Sequence, residues 1–343
     1  MTRVVLDDGL SFEAVRGETI LAAAQRAGLT PEYGCSTGRC GHCRIRVTGG
    51  QTRATHAESG LADSARSEGW VLSCVREAEG EHVAIEAMSR LDLSLPTPRV
   101  LPCRIHTLER LTQDVLSVVL RLPPTQTWVH RAGQYIDVIA PGGLQRSYSL
   151  ASAVPGAGCQ GAMLSLEIRR VPDGAMSQWW FEQARAGDLL RLKGPLGTCV
   201  LRDTADQDLV LLATGTGIAP MRAMLEELAD PTSSHAQPRS IALYWGARHP
   251  EDLYRDLVIP AELKCPVERI FVLSRPPQNW SGSIGHVQDV LLAQSRSLAE
   301  TLVYACGSEQ MIHDARRCLL SAGLATERFR SDAFVASAPS GAI

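Results

Sequence analysis

The chain has 343 residues, which at about 150 residues per domain favours two or three domains. Hydrophobic residues make up 45% and charged residues 21%, as in ordinary globular proteins, so a largely disordered chain is excluded. The 34 Lys and Arg against 37 Asp and Glu give a net charge of −3, which excludes the strongly basic surface of a non-specific nucleic-acid binder.

The first segment, residues 1–93, predicts a small α+β domain. Alternating apolar residues in Arg3–Leu6 and Ser11–Val15 indicate two strands that pair around a turn at Asp7–Gly9. An amphipathic helix is expected from Glu18 to Gly28, because glycine readily adopts the left-handed conformation that ends a helix.

Two further segments follow. Prolines between residues 90 and 102 predict an extended connection, with a second domain over residues 99–203 and a third over residues 205–343. The second segment predicts an antiparallel barrel with short strands at Val115–Leu122, Gln134–Ile139, Met163–Ile168 and Leu189–Leu192. The third alternates strands with helical stretches, which predicts a parallel sheet with crossover helices: Leu209–Ala213, Met221–Leu228, Ile241–Trp245, Ile270–Leu273, Thr301–Ala305 and Met311–Leu320. The small-residue tail after Phe334 is expected to fray.

No secretory signal and no run of about 18 apolar residues is found in the sequence, so a cytoplasmic location is expected.

Four cysteines have a spacing that indicates a metal centre. Cys35, Cys40 and Cys43 form a Cys-x4-Cys-x2-Cys pattern, and Cys74 follows 31 residues later. Four thiolates at this spacing are the plant-type pattern of a 2Fe-2S cluster. Glycines within the loop let the backbone wrap closely, with N–H groups free to bond the cluster sulfurs. A structural zinc ion is the alternative, although zinc sites usually combine two Cys-x2-4-Cys pairs.

The loop around these cysteines also carries a family resemblance. Residues 33–45, Tyr-Gly-Cys-Ser-Thr-Gly-Arg-Cys-Gly-His-Cys-Arg-Ile, resemble the cluster loop of ferredoxin domains that are fused to flavin reductases. The resemblance implies a β-grasp fold for the first domain.

A second group of residues is suited to a flavin. In Arg146-Ser147-Tyr148-Ser149, the arginine can pair with a phosphate, the tyrosine ring can lie against a flavin, and a serine hydroxyl can reach the ring nitrogen that accepts hydride. The sequence resembles the Arg-x-Tyr-Ser/Thr motif of the ferredoxin-NADP reductase superfamily. Downstream, a predicted helix offers free N–H groups to the flavin pyrophosphate at Gly174, Ala175, Met176 and Ser177.

A third group is suited to a nicotinamide dinucleotide. A Gly-x-Gly-x-x-Pro sequence follows a predicted strand and opens a helix, so a pyrophosphate can approach the backbone at Gly215, Thr216, Gly217 and Pro220. By resemblance to the same superfamily, Gly246 and Arg248 would lie near the adenosine ribose, and Cys306 and Gly307 near the nicotinamide.

The resemblance also implies a hydride-transfer site. Ser149, Cys306 and Asp332 would surround it, with Phe334 near the flavin ring. Ser274 and Arg275, with help from Arg248, could bind a 2′-phosphate. The nearer relatives favour NADH, so NADH is expected, with NADPH as the alternative.

The whole chain resembles the reductase components of bacterial ring-hydroxylating oxygenases, especially the naphthalene dioxygenase reductase type. This implies hydride transfer from NADH to FAD, then single electrons through a 2Fe-2S cluster to an oxygenase component or an intermediary ferredoxin. FAD is expected because an N-terminal ferredoxin domain accompanies FAD in relatives. Reductases of sugar-deoxygenating dehydratases and diiron monooxygenases share the layout. An electron carrier without NADH oxidation and a free-standing NADH oxidase are further alternatives.

Overall fold

The computed structural model describes residues 1–153, 159–294 and 296–334, apart from the side chains of residues 159 and 160. They form two compact units: Met1–Leu95 together with Ala333 and Phe334, and Pro96–Asp332. The predicted fraying after Phe334 lies outside the described residues.

A mixed five-stranded sheet with one packed helix forms the first unit. Its elements are β1 (Thr2–Leu6), β2 (Ser11–Ala14), α1 (Ile20–Arg26), β3 (Arg44–Ala54), α2 (Asp63–Ser67), β4 (Trp70–Leu72) and β5 (Arg76–Glu86). The strand order is β2-β1-β5-β3-β4, with β1 parallel to β5 and the other pairs antiparallel. The predicted β-grasp arrangement is therefore confirmed.

Helix α1 lies within the predicted range of Glu18 to Gly28, but it begins at Ile20 and ends at Arg26. The Thr19 hydroxyl caps the helix by accepting a hydrogen bond from the Ala22 N–H at 3.2 Å, and Gly28 follows the helix at φ +84°. Ile20 and Ala24 are buried with Val4 and Ile85 of the sheet. This apolar face attaches the helix to the sheet.

The second unit begins with an antiparallel barrel. Its strands are β6 (Arg99–Arg110), β7 (Val115–Arg121), β8 (Thr127–Trp128), β9 (Tyr135–Ile139), β10 (Gln145–Ser149), β11 (Cys159–Gln160), β12 (Met163–Arg169) and β13 (Leu189–Leu196). Six of them form one sheet in the order β10-β9-β13-β6-β7-β12. An antiparallel bridge between Leu150 and Leu166 joins its two outer strands. A short helix α3 (Ala175–Gln178) continues into a π-helical turn, Trp179–Gln183.

The extended connection predicted as far as Pro102 is shorter in the structure. Strand β6 begins at Arg99, and Pro102 pairs with Arg191 of β13. On its other side, β6 pairs with β7 only from Arg104 onward. Pro102 thus lies where the strand has one neighbour, a position at which a sheet tolerates proline.

One histidine, His130, is buried in the barrel. The Trp128 indole donates to His130 Nδ1 at 2.9 Å, and His130 Nε2 lies 2.9 Å from the Ser152 carbonyl oxygen. Burial lowers the pKa of His130 to about 4, although the Ser152 contact acts in the opposite direction. The His130 imidazole is therefore neutral in the folded state near pH 7.

We expect the free energy of unfolding to decrease as the pH falls from about 6.5 to about 4. The unfolded chain binds more protons in this window, so His130 contributes its full stabilisation above it, and the loss reaches about 3 kcal/mol at its acid end. Denaturant titrations at about pH 7 and about pH 4.5 measure the loss. His130→Gln should reduce the difference between the two pH values, and an equal difference in both proteins would contradict the assignment.

A parallel sheet with helices completes the second unit. Its elements are β14 (Asp208–Thr214), α4 (Ile218–Ala229), β15 (Ser240–Ala247), β16 (Val267–Leu273), β17 (Ser283–Ile284), α5 (Val287–Ala293), β18 (Thr301–Ser308), α6 (Glu309–Ser321) and β19 (Phe329–Phe334), of which the first four residues belong to this unit. The order is β17-β16-β15-β14-β18-β19, and β14 pairs in parallel with β15 and β18. Five consecutive residues of β14 are buried, as expected for a central parallel strand.

In the described part of the chain, every helix is too short or too polar to span a membrane.

Candidate functional site

The four predicted cluster cysteines lie as two pairs. The Cys40 N–H donates to Cys35 Sγ at 3.3 Å, and the Cys35 N–H donates to Cys40 Sγ at 3.4 Å. The hydrogen bond to Cys40 raises the pKa of the Cys35 thiol, and burial adds to this effect. In the other pair, the hydrogen bond between the two thiols raises the pKa of Cys74 and lowers that of Cys43.

Glycines bring the backbone of this loop close to its neighbours. Gly38 has φ +76°, and a Cβ atom there would lie 2.4 Å from the Ala57 carbonyl oxygen. A Cβ atom on Gly60 would lie 2.4 Å from the Arg39 carbonyl oxygen. Side chains at these positions would push the loop apart, so the glycines allow it to wrap tightly.

The ligand geometry fits a binuclear cluster. Within the described residues, no group of three or more His, Cys, Asp or Glu side chains is placed to hold one metal ion. Two thiol pairs, with backbone N–H groups directed at the sulfurs of Cys35 and Cys40, match a 2Fe-2S cluster, in which each iron takes two cysteines. Cys35, Cys40, Cys43 and Cys74 could hold such a cluster.

Sequence reasoning missed a buried carboxylate beside Cys74. Glu58 is 7% exposed; its Oε1 accepts the Leu72 N–H at 2.6 Å, and its Oε2 pairs with Arg76 Nη2 at 2.5 Å. Both partners lie two residues from Cys74, so Glu58 fixes the segment that carries this ligand. The sequence around Glu58 gives no sign of its burial, because an acidic residue in a polar loop has the same sequence context whether it is exposed or buried.

The predicted flavin motif lies on strand β10. Arg146 and Tyr148 share one face of the strand, and the Arg146 guanidinium is half-exposed, with one bond to the Gln145 carbonyl oxygen at 2.6 Å. The Tyr148 hydroxyl accepts the Trp180 indole N–H at 3.0 Å, and burial raises its pKa. The half-exposed guanidinium and the fixed ring suit a phosphate and a flavin. The Ser147 hydroxyl instead donates to Asp137 at 2.6 Å.

The end of β10 lies beside two other predicted site residues. The Ser149 hydroxyl donates to Asp332 Oδ2 at 3.2 Å, and both side chains are buried. Burial, followed by the nearby Asp332 carboxylate, raises the pKa of the Cys306 thiol well above its ordinary value. The structure thus brings Ser149 into contact with Asp332, 183 residues away, and Cys306 lies close enough for the Asp332 carboxylate to affect its thiol.

The predicted dinucleotide residues meet at the carboxyl ends of three neighbouring strands. Gly215–Gly217 follows β14 as a 3-10 turn, Gly246 lies at the end of β15, and Gly307 at the end of β18. A Cβ atom on Gly217 would lie 2.1 Å from the Cys306 carbonyl oxygen. The Trp245 indole donates to the Gly215 carbonyl oxygen at 3.0 Å. Dinucleotides bind at this edge of parallel sheets.

The remaining predicted site residues lie on several different elements. Gly174 precedes α3, which holds Ala175, Met176 and Ser177, and the Ser177 hydroxyl accepts the Val171 N–H at 2.9 Å. Thr216 is buried in the glycine turn, and Pro220 is the third residue of α4. Arg248 is exposed, and its carbonyl oxygen accepts a hydrogen bond from the Arg275 N–H at 3.0 Å. Phe334 ends β19 and is 37% exposed.

Three family models match successive parts of the chain. They are the 2Fe-2S iron-sulfur cluster binding domain over residues 4–79, the oxidoreductase FAD-binding domain over 102–200, and the oxidoreductase NAD-binding domain over 211–317. Their order agrees with the three groups of residues described above.

Curated and solved proteins match over nearly the full length. A CDP-6-deoxy-L-threo-D-glycero-4-hexulose-3-dehydrase reductase of Yersinia pestis is 33% identical, over 96% of this chain and 97% of its own. The terephthalate 1,2-dioxygenase reductase component 1 of Comamonas sp. is 29% identical, over 98% of this chain and 97% of its own. A cytochrome P450 reductase structure from Amycolatopsis has the same fold, with a TM-score of 0.75 at 24% identity. The match covers 97% of this chain and 99% of that structure's chain. The chain belongs to the iron-sulfur flavoprotein reductases, which carry electrons from NAD(P)H through FAD to a 2Fe-2S cluster.

Proposed function

We propose that this reductase oxidises NADH and delivers single electrons to an oxygenase component or to an intermediary ferredoxin. The observation that carries the proposal is the succession of cluster, FAD and NAD domains in one chain. Relatives named as reductase or electron transfer components of terephthalate, toluate and naphthalene dioxygenases support this acceptor. FAD, when bound, would supply an acceptor for a hydride from the nicotinamide and a donor of single electrons to the cluster.

We assign three sets of residues to the cofactors and three domains to the chain. The cluster ligands are Cys35, Cys40, Cys43 and Cys74. The flavin set comprises Arg146, Ser147, Tyr148, Ser149 and the helix start at 174–177. The dinucleotide set comprises Gly215, Thr216, Gly217, Pro220, Gly246, Arg248, Cys306 and Gly307. Domain boundaries at 1–93, 99–203 and 205–343 are consistent with the family matches.

Two buried groups, the Ser149 hydroxyl and the Cys306 thiol, are assigned to the hydride site. The Ser149 hydroxyl directs its proton to Asp332 and keeps its lone pairs for an N–H donor, and by rotating it can donate instead. It can therefore serve a ring nitrogen in either protonation state. The Cys306 thiol stays neutral near pH 7, because burial and Asp332 raise its pKa. We assign it as an uncharged wall of the nicotinamide pocket, and Phe334 as a residue near the flavin ring.

NADH is the proposed donor, and NADPH is the alternative. Ser274 and Arg275 follow β16, and their N–H groups bond the carbonyl oxygens of Ala247 and Arg248. All three side chains that could bind a 2′-phosphate, on Ser274, Arg275 and Arg248, are exposed. A comparison of kcat/KM for NADH and NADPH decides between the donors. We propose a cytoplasmic location, where NADH is present and cluster thiols stay reduced.

A sugar dehydrase is the second candidate acceptor. The observation that favours it is the 33% identity with the hexulose-3-dehydrase reductase, against 29% with the terephthalate dioxygenase reductase over a similar length.

Reconstitution with each acceptor tests the assignment. The purified reductase is combined with NADH and either an oxygenase component, its ferredoxin, or a sugar dehydrase. The proposal expects cluster-dependent turnover with the oxygenase system. Turnover only with the dehydrase would show that a sugar dehydrase, and not an oxygenase system, is the electron acceptor. Small acceptors that work as efficiently as every protein acceptor would indicate a free-standing NADH oxidase.

A further inference from the structure

One buried carboxylate in the barrel lies outside every site assigned above. Glu167, on strand β12, is 8% exposed, and its environment contains two arginines and a tyrosine. Its Oε1 accepts from Arg222 Nη1 at 2.6 Å and lies 2.9 Å from Arg255 Nε. Its Oε2 accepts from the Tyr254 hydroxyl at 2.7 Å. A carboxylate buried this deeply requires such partners, and here all of them come from the parallel-sheet part of the unit.

One path leads from Glu167 to the dinucleotide turn. The Tyr254 ring packs edge-to-face on Trp245, with the ring centroids 5.3 Å apart. The Trp245 indole in turn donates to the Gly215 carbonyl oxygen at 3.0 Å. The position of the glycine turn is therefore linked through two aromatic residues to a strand of the barrel.

A second path leads to the flavin strand. Arg222 lies on α4, the helix that the glycine turn opens, and its Nη2 donates to the Ala151 carbonyl oxygen at 3.3 Å. Ala151 is two residues beyond Ser149. Glu226, one turn after Arg222, accepts the Ala153 N–H at 3.0 Å. Helix α4 thus holds both the turn and the segment that follows the flavin motif.

We propose that Glu167 is a positioning residue for hydride transfer. Its carboxylate joins the two paths and sets the placement of the dinucleotide turn against the strand that carries Ser149. Hydride transfer depends steeply on the distance and angle between donor and acceptor, so a shift of about 1 Å can cost on the order of 100-fold in rate. The inference rests on the proposed roles of Ser149 and the glycine turn.

Single-turnover reduction of the flavin by NADH, without air, tests the proposal. Glu167→Gln keeps the shape of the side chain and removes its charge. We expect the rate constant of flavin reduction at saturating NADH to fall by about 10-fold or more, with the Kd for NADH changed by less than about threefold. Deuterium at the transferred position of NADH should slow the variant more than the parent chain, because hydride transfer becomes fully rate-limiting. FAD content and the cluster spectrum should be unchanged.

Two further variants make the result decisive. Glu300→Gln, in an exposed pair with Arg328, is the matched control and should react as the parent chain does. Tyr254→Phe removes only the hydroxyl that bonds Glu167 and keeps both ion pairs, so it answers the question if Glu167→Gln fails to fold. It should also slow flavin reduction, by a smaller factor.

Parental rates in Tyr254→Phe, or a weaker Kd with an unchanged rate at saturation in Glu167→Gln, would overturn the inference. An unmodified chain whose flavin is not reduced by NADH would instead contradict the proposed function.

Discussion

Replacing Cys40 by alanine is expected to remove NADH-driven reduction of cytochrome c while NADH still reduces the flavin. Cys40 pairs with Cys35, and its loss would leave one iron of the proposed 2Fe-2S cluster with a single thiolate. The flavin and dinucleotide residues belong to the other compact unit, so the hydride step should survive. Cytochrome reduction, flavin bleaching and iron content are measured on the same preparation.

Cys318→Ala is the matched control for this experiment. Cys318 lies half-buried on α6, remote in sequence from the cluster loop, and alanine favours helix. This variant should keep its iron and its cytochrome reduction. Full cytochrome reduction by Cys40→Ala would show that Cys40 is not a cluster ligand.

The second large effect is expected at Gly217. Its φ of −61° is ordinary for alanine, so backbone strain plays no part in the substitution Gly217→Ala. The added Cβ atom would instead lie 2.1 Å from the Cys306 carbonyl oxygen, and either the turn or the end of β18 must move. We expect kcat/KM for NADH to fall on the order of 100-fold, because both displaced segments belong to the proposed hydride site.

Gly49→Ala is the control for this substitution. A Cβ atom at Gly49 would make only an ordinary contact of 3.5 Å with the Ala84 side chain. The control should keep its NADH kinetics, and both variants should retain FAD and cluster. Unchanged NADH kinetics in Gly217→Ala would show that the contact between the turn and β18 does not shape the dinucleotide site.

Much of the fold could be predicted because its signals are local. The apolar run of β14 followed by Gly-x-Gly predicts a strand and a turn that opens a helix, and the structure confirms both. The cysteine loop is equally local, since three ligands lie within nine residues. Alternating apolar residues likewise predicted β7, β9, β12 and β13, with ends that differ by up to four residues, whereas β6, β8 and β11 were not predicted as strands.

Other features could not be predicted because they depend on distant partners. Glu167 and Arg255 are 88 residues apart, and nothing in β12 distinguishes a buried glutamate from an exposed one. The contact between Ser149 and Asp332 spans 183 residues, and only the family resemblance pointed to it. The short helix α2 and the π-helical turn at Trp179–Gln183 also carry no pattern that sequence reasoning detected.

The visible spectrum of protein purified without air, recorded before and after NADH and then NADPH, tests the central claim most directly. Iron, sulfide and released flavin are quantified on the same sample. We expect two iron, two sulfide and one FAD per chain, with a spectrum that NADH bleaches more readily than NADPH. Colourless protein that contains zinc, or a flavin that NADH leaves oxidised, would contradict the assignment.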